Sequence, residues 1–275
     1  PVNQGRGLLL LTLGLAKKVL LGDPLSDYAN PVFAAAAAGK VVSVVEAWQA
    51  TLAFTFQIYF DFSGYTDMAL GLALLFGIVL PQNFDVPYRA TSLQDFWRRW
   101  HMTLSRFLRD YLYIPLGGSR HGLPLQLWAL FATMALGGLW HGAGLNFVAW
   151  GVAHGVVLAI GVLWRRAGLP MPKLLGWALT FVFVAFCWVL FRATSFDAAL
   201  AIYKGMLGLG PVGTGFKWRA FLPAIAVAMI GPTAWAAVHK APPARWLAVL
   251  TAILFVLVLF KIGDDANYEF IYFQF

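Results

Sequence analysis

Apolar residues in this chain come in long, nearly uninterrupted runs, and the polar residues collect between them. A helical membrane crossing takes about 20 apolar residues. Runs over residues 8–21, 41–62, 65–80, 123–140, 145–164, 174–191, 221–238 and 246–260 therefore predict about eight crossings. The first and third are short, so one of them is expected to tilt, break or lie buried among other helices. Ser63-Gly64 is the expected turn between the second and third runs, and the Gly and Pro residues over 208–215 mark a loop. Neither an internal repeat nor a soluble-domain boundary is visible. The pattern predicts an all-α, polytopic transmembrane protein whose residues 1–275 form a single membrane domain.

Between the third and fourth runs the pattern changes from continuous to periodic. Ser92 followed by Asp95 is a helix-starting pair, and Pro115 with Gly117-Gly118 supplies the stop. At 100° per residue, Leu93, Phe96, Trp97, Trp100, Leu104, Phe107, Leu108 and Tyr111 share one face of a helix, with Arg98, Arg99, Ser105, Arg106 and Arg109 on the other. One helix lying in the membrane interface is the expectation, with His101 at the border between its faces. Its arginines would meet lipid phosphates or an acidic partner, and His101 either faces a protein cavity or merely bonds backbone.

Composition narrows the class further. Sixty per cent of the 275 residues are hydrophobic and 12% are charged, outside soluble norms. The formal charge of +8 raises the question of nucleic acid, but Lys and Arg gather between apolar runs, which is how membrane orientation is encoded, so no nucleic-acid partner is expected. If residues 89–120 are cytoplasmic, Arg165, Arg166, Lys173, His239, Lys240 and Arg245 fall on the same side, with Lys40. Ser63-Gly64 and the acidic tail with Asp264, Asp265 and Glu269 then fall outside. Arg192, Lys204, Lys217 and Arg219 run against the scheme. The one cysteine, Cys187, sits in an apolar run and carries neither a disulfide nor a thiolate site. The start at Pro1, with no charged leader or cleavage site, reads as a truncation with further spans upstream.

Candidate chemistry centres on two histidines in tryptophan-rich settings, Trp97-Arg98-Arg99-Trp100-His101 and Gly137-Gly138-Leu139-Trp140-His141-Gly142-Ala143-Gly144. An ionisable ring beside a long apolar run needs a partner or a function. Eighteen steps from Leu123 carry His141 about 27 Å, close to the outer side and opposite His101. If both rings serve one reaction, a tunnel must join them, and group transfer across the bilayer is the natural chemistry: a neutral imidazole as general base for an outer hydroxyl, an activated acyl donor from inside. The competing reading of His141 is a glycine-rich helix end. Asp61 and Asp67 flank the expected turn, to orient tunnel residues or to hydrogen-bond helix ends. Asp110 is placed to pair with Arg106. His154, between Gly151 and Gly155, either approaches His141 or donates a buried hydrogen bond, and His121 and His239 are expected in solvent. No metal-ligand spacing is present, so no metal is expected.

Residues 57–69 (QIYFDFSGYTDMA), 96–113 (FWRRWHMTLSRFLRDYLY), 137–144 (GGLWHGAG) and the closing FIYFQF resemble the membrane-bound O-acyltransferase family, in particular its alginate O-acetylation branch. The resemblance covers nearly the whole chain and implies a C-terminal portion of a longer protein, with buried, interfacial and re-entrant helices around a central tunnel. His141 matches the family's active-site histidine and His101 its second motif histidine. Arg98, Arg99, Trp100, Ser105, Asp110 and Tyr113 would line the donor path, and Trp140, Gly142, His154 and Asp61 would support the site. The resemblance further implies a multi-pass protein of the bacterial inner membrane with no tightly bound cofactor. Acetyl-coenzyme A or another acyl donor or acyl carrier would arrive from the cytoplasm. The group would pass to a polysaccharide, or to a periplasmic acetyltransferase or esterase-like partner, and the spans would sit among membrane lipids. The alternatives are D-alanyl transfer, transport of a small anion or glycolipid, and a non-catalytic scaffold.

Overall fold

A computed structural model of the chain describes residues 2–142, 144–242 and 244–264. The closing motif and the acidic positions 265 and 269 lie outside the described residues, as does Ala143. The described chain is helical, with no strand: α1 (Val2–Ala16), α2 (Asp23–Ala37), α3 (Val44–Leu75), α4 (Leu93–Arg99), α5 (Met102–Leu108), α6 (Leu123–His141), α7 (Leu145–Arg166), α8 (Lys173–Arg192), α9 (Phe196–Met206), α10 (Trp218–Ile225), α11 (Ala234–Lys240) and α12 (Arg245–Asp264). π-helical turns follow α1, α5 and α10. Among the described residues, α6, α7, α8 and α12 are long and apolar enough to cross a membrane. The stretch Trp218–Ile230 passes the same test only jointly with α11, across a 64° bend at Gly231-Pro232 where proline ends the helical ladder.

The predicted second and third runs are not separated. Ser63-Gly64 lies inside α3, a continuous helix of 32 residues. Gly64 is there for packing, because a Cβ on it would stand 2.7 Å from the Gly14 carbonyl oxygen of α1. Gly7 and Gly71 repeat the contact one helix segment away, again at 2.7 Å. Small residues let two helix backbones touch where a turn was expected. Asp61 and Asp67 are consequently mid-helix rather than helix-terminal. Asp67 pairs with Lys17 at 2.6 Å, and Lys18 bridges Asp23 at 2.6 Å and Asp61 at 3.1 Å. The backward half of the orientation scheme, which needed a reversal at Ser63-Gly64, loses its turn.

The chain divides into two compact units, and the division falls within α2 and α3. One contains, among the described residues, the chain up to Ala29, Ala53–Asp85 and the part from Lys217 on; α1 and the later part of α3 pack there, with Leu10, Leu70, Leu74, Ala234 and Val238 as a buried cluster. The other contains Asn30–Leu52 and Val86–Phe216, and it holds both tryptophan-histidine motifs.

Candidate active site

The segment expected as one interfacial helix is broken at its centre. Ser92 caps α4 as anticipated, its hydroxyl accepting from the Asp95 N–H at 3.1 Å. The Asp95 carboxylate reaches back only to the Thr91 N–H, at 3.4 Å. After Arg99 the backbone opens: Trp100 is extended, and His101 takes φ 42° and ψ 56°, the left-handed region that non-glycine residues seldom enter. Trp100 is held there by rings, 4.9 Å from Trp188 and 5.6 Å from Phe96, centroid to centroid. The break resets the helical face. Leu93, Phe96, Trp97, Trp100, Leu104 and Leu108 are buried as predicted, but Phe107 and Tyr111 are exposed.

Beyond the break the chain runs lengthwise beside α6 instead of lying flat. Leu108 lies where a Cβ on Gly137 would approach within 3.2 Å, and Gln126 Nε2 donates to the Tyr113 hydroxyl at 3.5 Å. Passing from residue 108 to 113 thus moves the chain's contacts from the Gly137 end of α6 towards Gln126. Extrapolated the other way, His101 lies towards the His141 end of α6. The expectation that the two rings stand on opposite faces, about 30 Å apart, is therefore corrected. The His101 imidazole is pushed from 6.5 down to about 4, first by burial and then by the charge of His141, so the rings are near enough to repel.

An aromatic cluster surrounds His141. Its ring makes edge contacts with Trp140 at 5.0 Å, Phe191 at 5.1 Å and Trp150 at 5.3 Å. Neither ring nitrogen is hydrogen-bonded to any described residue. Trp150 stacks on Trp188 at 6.1 Å and meets Trp97 edge-on at 5.7 Å. One turn along α7, His154 is 1% exposed and lies 4.7 Å from the Trp150 ring, and its Nδ1 accepts from the Trp97 indole N–H at 3.2 Å. Of the two readings of His154, the buried hydrogen bond is present with the ring accepting rather than donating, and Trp150 stands between His154 and His141. Close contact between α6 and α7 makes this possible: a Cβ on Gly138 would run into the Phe147 carbonyl, and one on Gly151 into that of Met134.

Trp97 also walls a cavity of about 510 Å³ beside α6. Arg98, Arg106, Arg109 and Arg165 line it, as do Ser105 and Tyr113. Thr133 and Met134 line it too, and the buried Thr133 hydroxyl has no partner among the described residues. Of the residues expected along a donor path, Arg98, Ser105 and Tyr113 line this cavity. Arg99, Trp100 and Asp110 do not line it: Arg99 pairs with Asp95 at 2.9 Å, and Asp110 with neighbouring Arg109 at 2.7 Å rather than with Arg106. That exposed pairing holds the Asp110 carboxyl below its ordinary range. Arg165 reaches the same cavity as Arg98, in keeping with residues 89–120 and 165–166 sharing one side.

Of the other expected supports, Gly142 ends α6 and stands against the Phe147 ring, while Asp61 belongs to the unit without these histidines. No group of three metal-ligating side chains occurs among the described residues. Sequence reasoning missed Trp150, Trp188, Phe191 and Arg165. Trp150 and His154 stand four residues apart beside Gly151 and Gly155, a spacing that puts both rings on one face of α7. Nothing local in the sequence marks Trp188.

Comparison with known proteins extends the picture. The chain is 46% identical over 214 residues to a peptidoglycan O-acetyltransferase of Helicobacter pylori, covering 76% of this chain and 40% of that one. It is 38% identical over 299 residues to "Probable alginate O-acetylase AlgI" of Pseudomonas putida, covering 95% and 59% respectively. A teichoic acid D-alanyltransferase of Streptococcus thermophilus is 32% identical over 162 residues, half of this chain and 39% of that one. The chain therefore spans between about two-fifths and three-fifths of the length of these relatives. The sequence profile that describes the membrane-bound O-acyltransferase family matches residues 1–197, a stretch containing both histidine motifs, the arginine-lined cavity and the ring cluster through Phe191; this chain belongs to that family.

Proposed function

We propose that this chain is the acyl-transferring part of a bacterial inner-membrane O-acetyltransferase that modifies an extracytoplasmic polysaccharide or peptidoglycan. The observation that carries the reading is the cavity that four arginines line and whose wall residue Trp97 touches the ring cluster of His141. Guanidinium groups suit a phosphorylated thioester, either acetyl-coenzyme A or an acyl-carrier arm, and no tightly held cofactor is required. A half-buried imidazole with unengaged nitrogens suits proton abstraction.

The acceptor hydroxyl oxygen bonds to the acyl carbon while its proton passes to a nitrogen of His141. Collapse of the tetrahedral adduct breaks the carbon–sulfur bond, and the proton returns to the departing thiolate. His101 stays neutral at physiological pH beside His141, so the new imidazolium meets no second positive charge. The acceptor arrives from the outer side, free in the wall polymer or through a periplasmic esterase-like partner.

Removing a general base costs about 10² to 10⁴ in rate. Full-length protein carrying His141→Ala should therefore reach the membrane in normal amount and leave the extracellular polymer without acetyl groups, read by mass spectrometry. Wild-type acetylation by that variant overturns the reading. D-alanyl esters in place of acetyl would move the donor class, and uptake of unmodified solute into proteoliposomes would favour transport.

A further inference from the structure

Buried N–H donors are almost always paired, and one left unpaired is destabilising. Three belong to one ring cluster and have no acceptor among the described residues: Trp150 Nε1, Trp188 Nε1 and His154 Nε2. Each of these side chains is at most 2% exposed. The state of His154 follows from geometry. Its Nδ1 accepts from Trp97, so that nitrogen carries a lone pair and the ring proton sits on Nε2, which can only donate. His154 is therefore unable to serve as the base. The three groups share one cluster, Trp150 lying 4.7 Å from His154, 6.1 Å from Trp188 and 5.3 Å from His141 by ring centroids. Charge-neutral donors in an apolar box suit an oxygen that gains negative charge only transiently, because a permanent anion would be poorly solvated there.

We propose that the indole N–H groups of Trp150 and Trp188 and the Nε2–H of His154 form the oxyanion site of the transferase, binding the carbonyl oxygen of the acyl group as the acceptor attacks. The assignment rests on the acyl-transfer reading above. When the acceptor oxygen bonds to the acyl carbon, the carbonyl π electrons move onto this oxygen and the three donors take up its charge. When the carbon–sulfur bond breaks, the carbonyl re-forms and the hydrogen bonds weaken. Trp97 acts one step removed, fixing the tautomer that lets His154 donate.

The test uses the full-length protein in its own cells, at matched expression, with acetyl groups per sugar of the extracellular polymer measured by mass spectrometry and thermal unfolding followed on purified protein. Trp150→Phe keeps an aromatic ring and deletes the N–H. Acetylation should fall about 10²- to 10³-fold, the range for loss of one oxyanion donor, while the unfolding temperature falls somewhat because the smaller ring leaves buried space. Benzothienylalanine at position 150 replaces only the N–H by sulfur and should reproduce the loss, which separates the donor from ring shape. Wild-type acetylation by either variant overturns the proposal, and so does a lowered unfolding temperature in the benzothienylalanine variant, since the N–H would then be held by a structural partner such as water. His141→Ala is run alongside. If it acetylates normally the acyl-transfer reading itself falls, whereas its inactivity beside fully active position-150 variants removes only the oxyanion site.

Discussion

Left-handed backbone at a residue with a side chain is uncommon, and here it falls on Val86 and His101. At His101 it ends α4 and starts α5, turning the imidazole into the same unit of structure as His141. The histidine itself stands out in the sequence from its tryptophan neighbours, but its backbone does not. Helical periodicity assigns every residue from 92 to 113 one phase, and only the rings of Trp188 and Phe96 around Trp100 show why the phase is lost there. The low proton affinity of His101 has a thermodynamic consequence. Its pKa is about 4 when folded and 6.5 unperturbed, so below 6.5 the unfolded chain binds the proton first. The stabilisation is complete above about pH 6.5 and is lost as pH falls towards 4. Thermal unfolding of the purified protein should show the midpoint dropping across that window, and His101→Gln should flatten part of the drop. An unchanged slope in the variant would place the titration elsewhere.

Among the elements, α6 and α7 were the most legible, because both are continuous apolar helices of nearly the predicted bounds. What the sequence did not reveal is how closely they meet. Gly138 and Gly151 lie backbone to backbone across the pair, and a carbonyl cannot yield as a flexible side chain can. Gly138→Ala should cost at least the ~1–3 kcal/mol typical of overpacking, visible as a lower unfolding temperature. Gly5→Ala, with nothing near its added methyl, should leave that temperature unchanged or slightly higher. Equal behaviour of the two variants would mean the close contact is absent in the membrane. Ser63-Gly64 carries the same lesson in reverse, since a glycine that closes a helix pair and a glycine that opens a turn are written alike. Which one occurs depends on Gly14, some fifty positions earlier in the chain.

For the molecule as a whole, composition and run length were enough to give the all-helical class, and the motifs were enough to give the family. The grouping of Trp150, Trp188 and His154 required tertiary structure, because their partners lie on α4, α7 and α8. Four to five membrane-length helices predict that the protein stays in the pellet when membranes are extracted with alkaline carbonate; release into the supernatant would contradict that. The 32 residues of α3 have a further consequence at this scale. Such a rod is about 48 Å long against roughly 30 Å of hydrocarbon. It is not among the helices apolar enough to cross, so its excess over the hydrocarbon thickness demands no tilt: α3 serves as the wall on which Gly64 and Gly71 seat α1 and from which Asp61 and Asp67 hold Lys18 and Lys17.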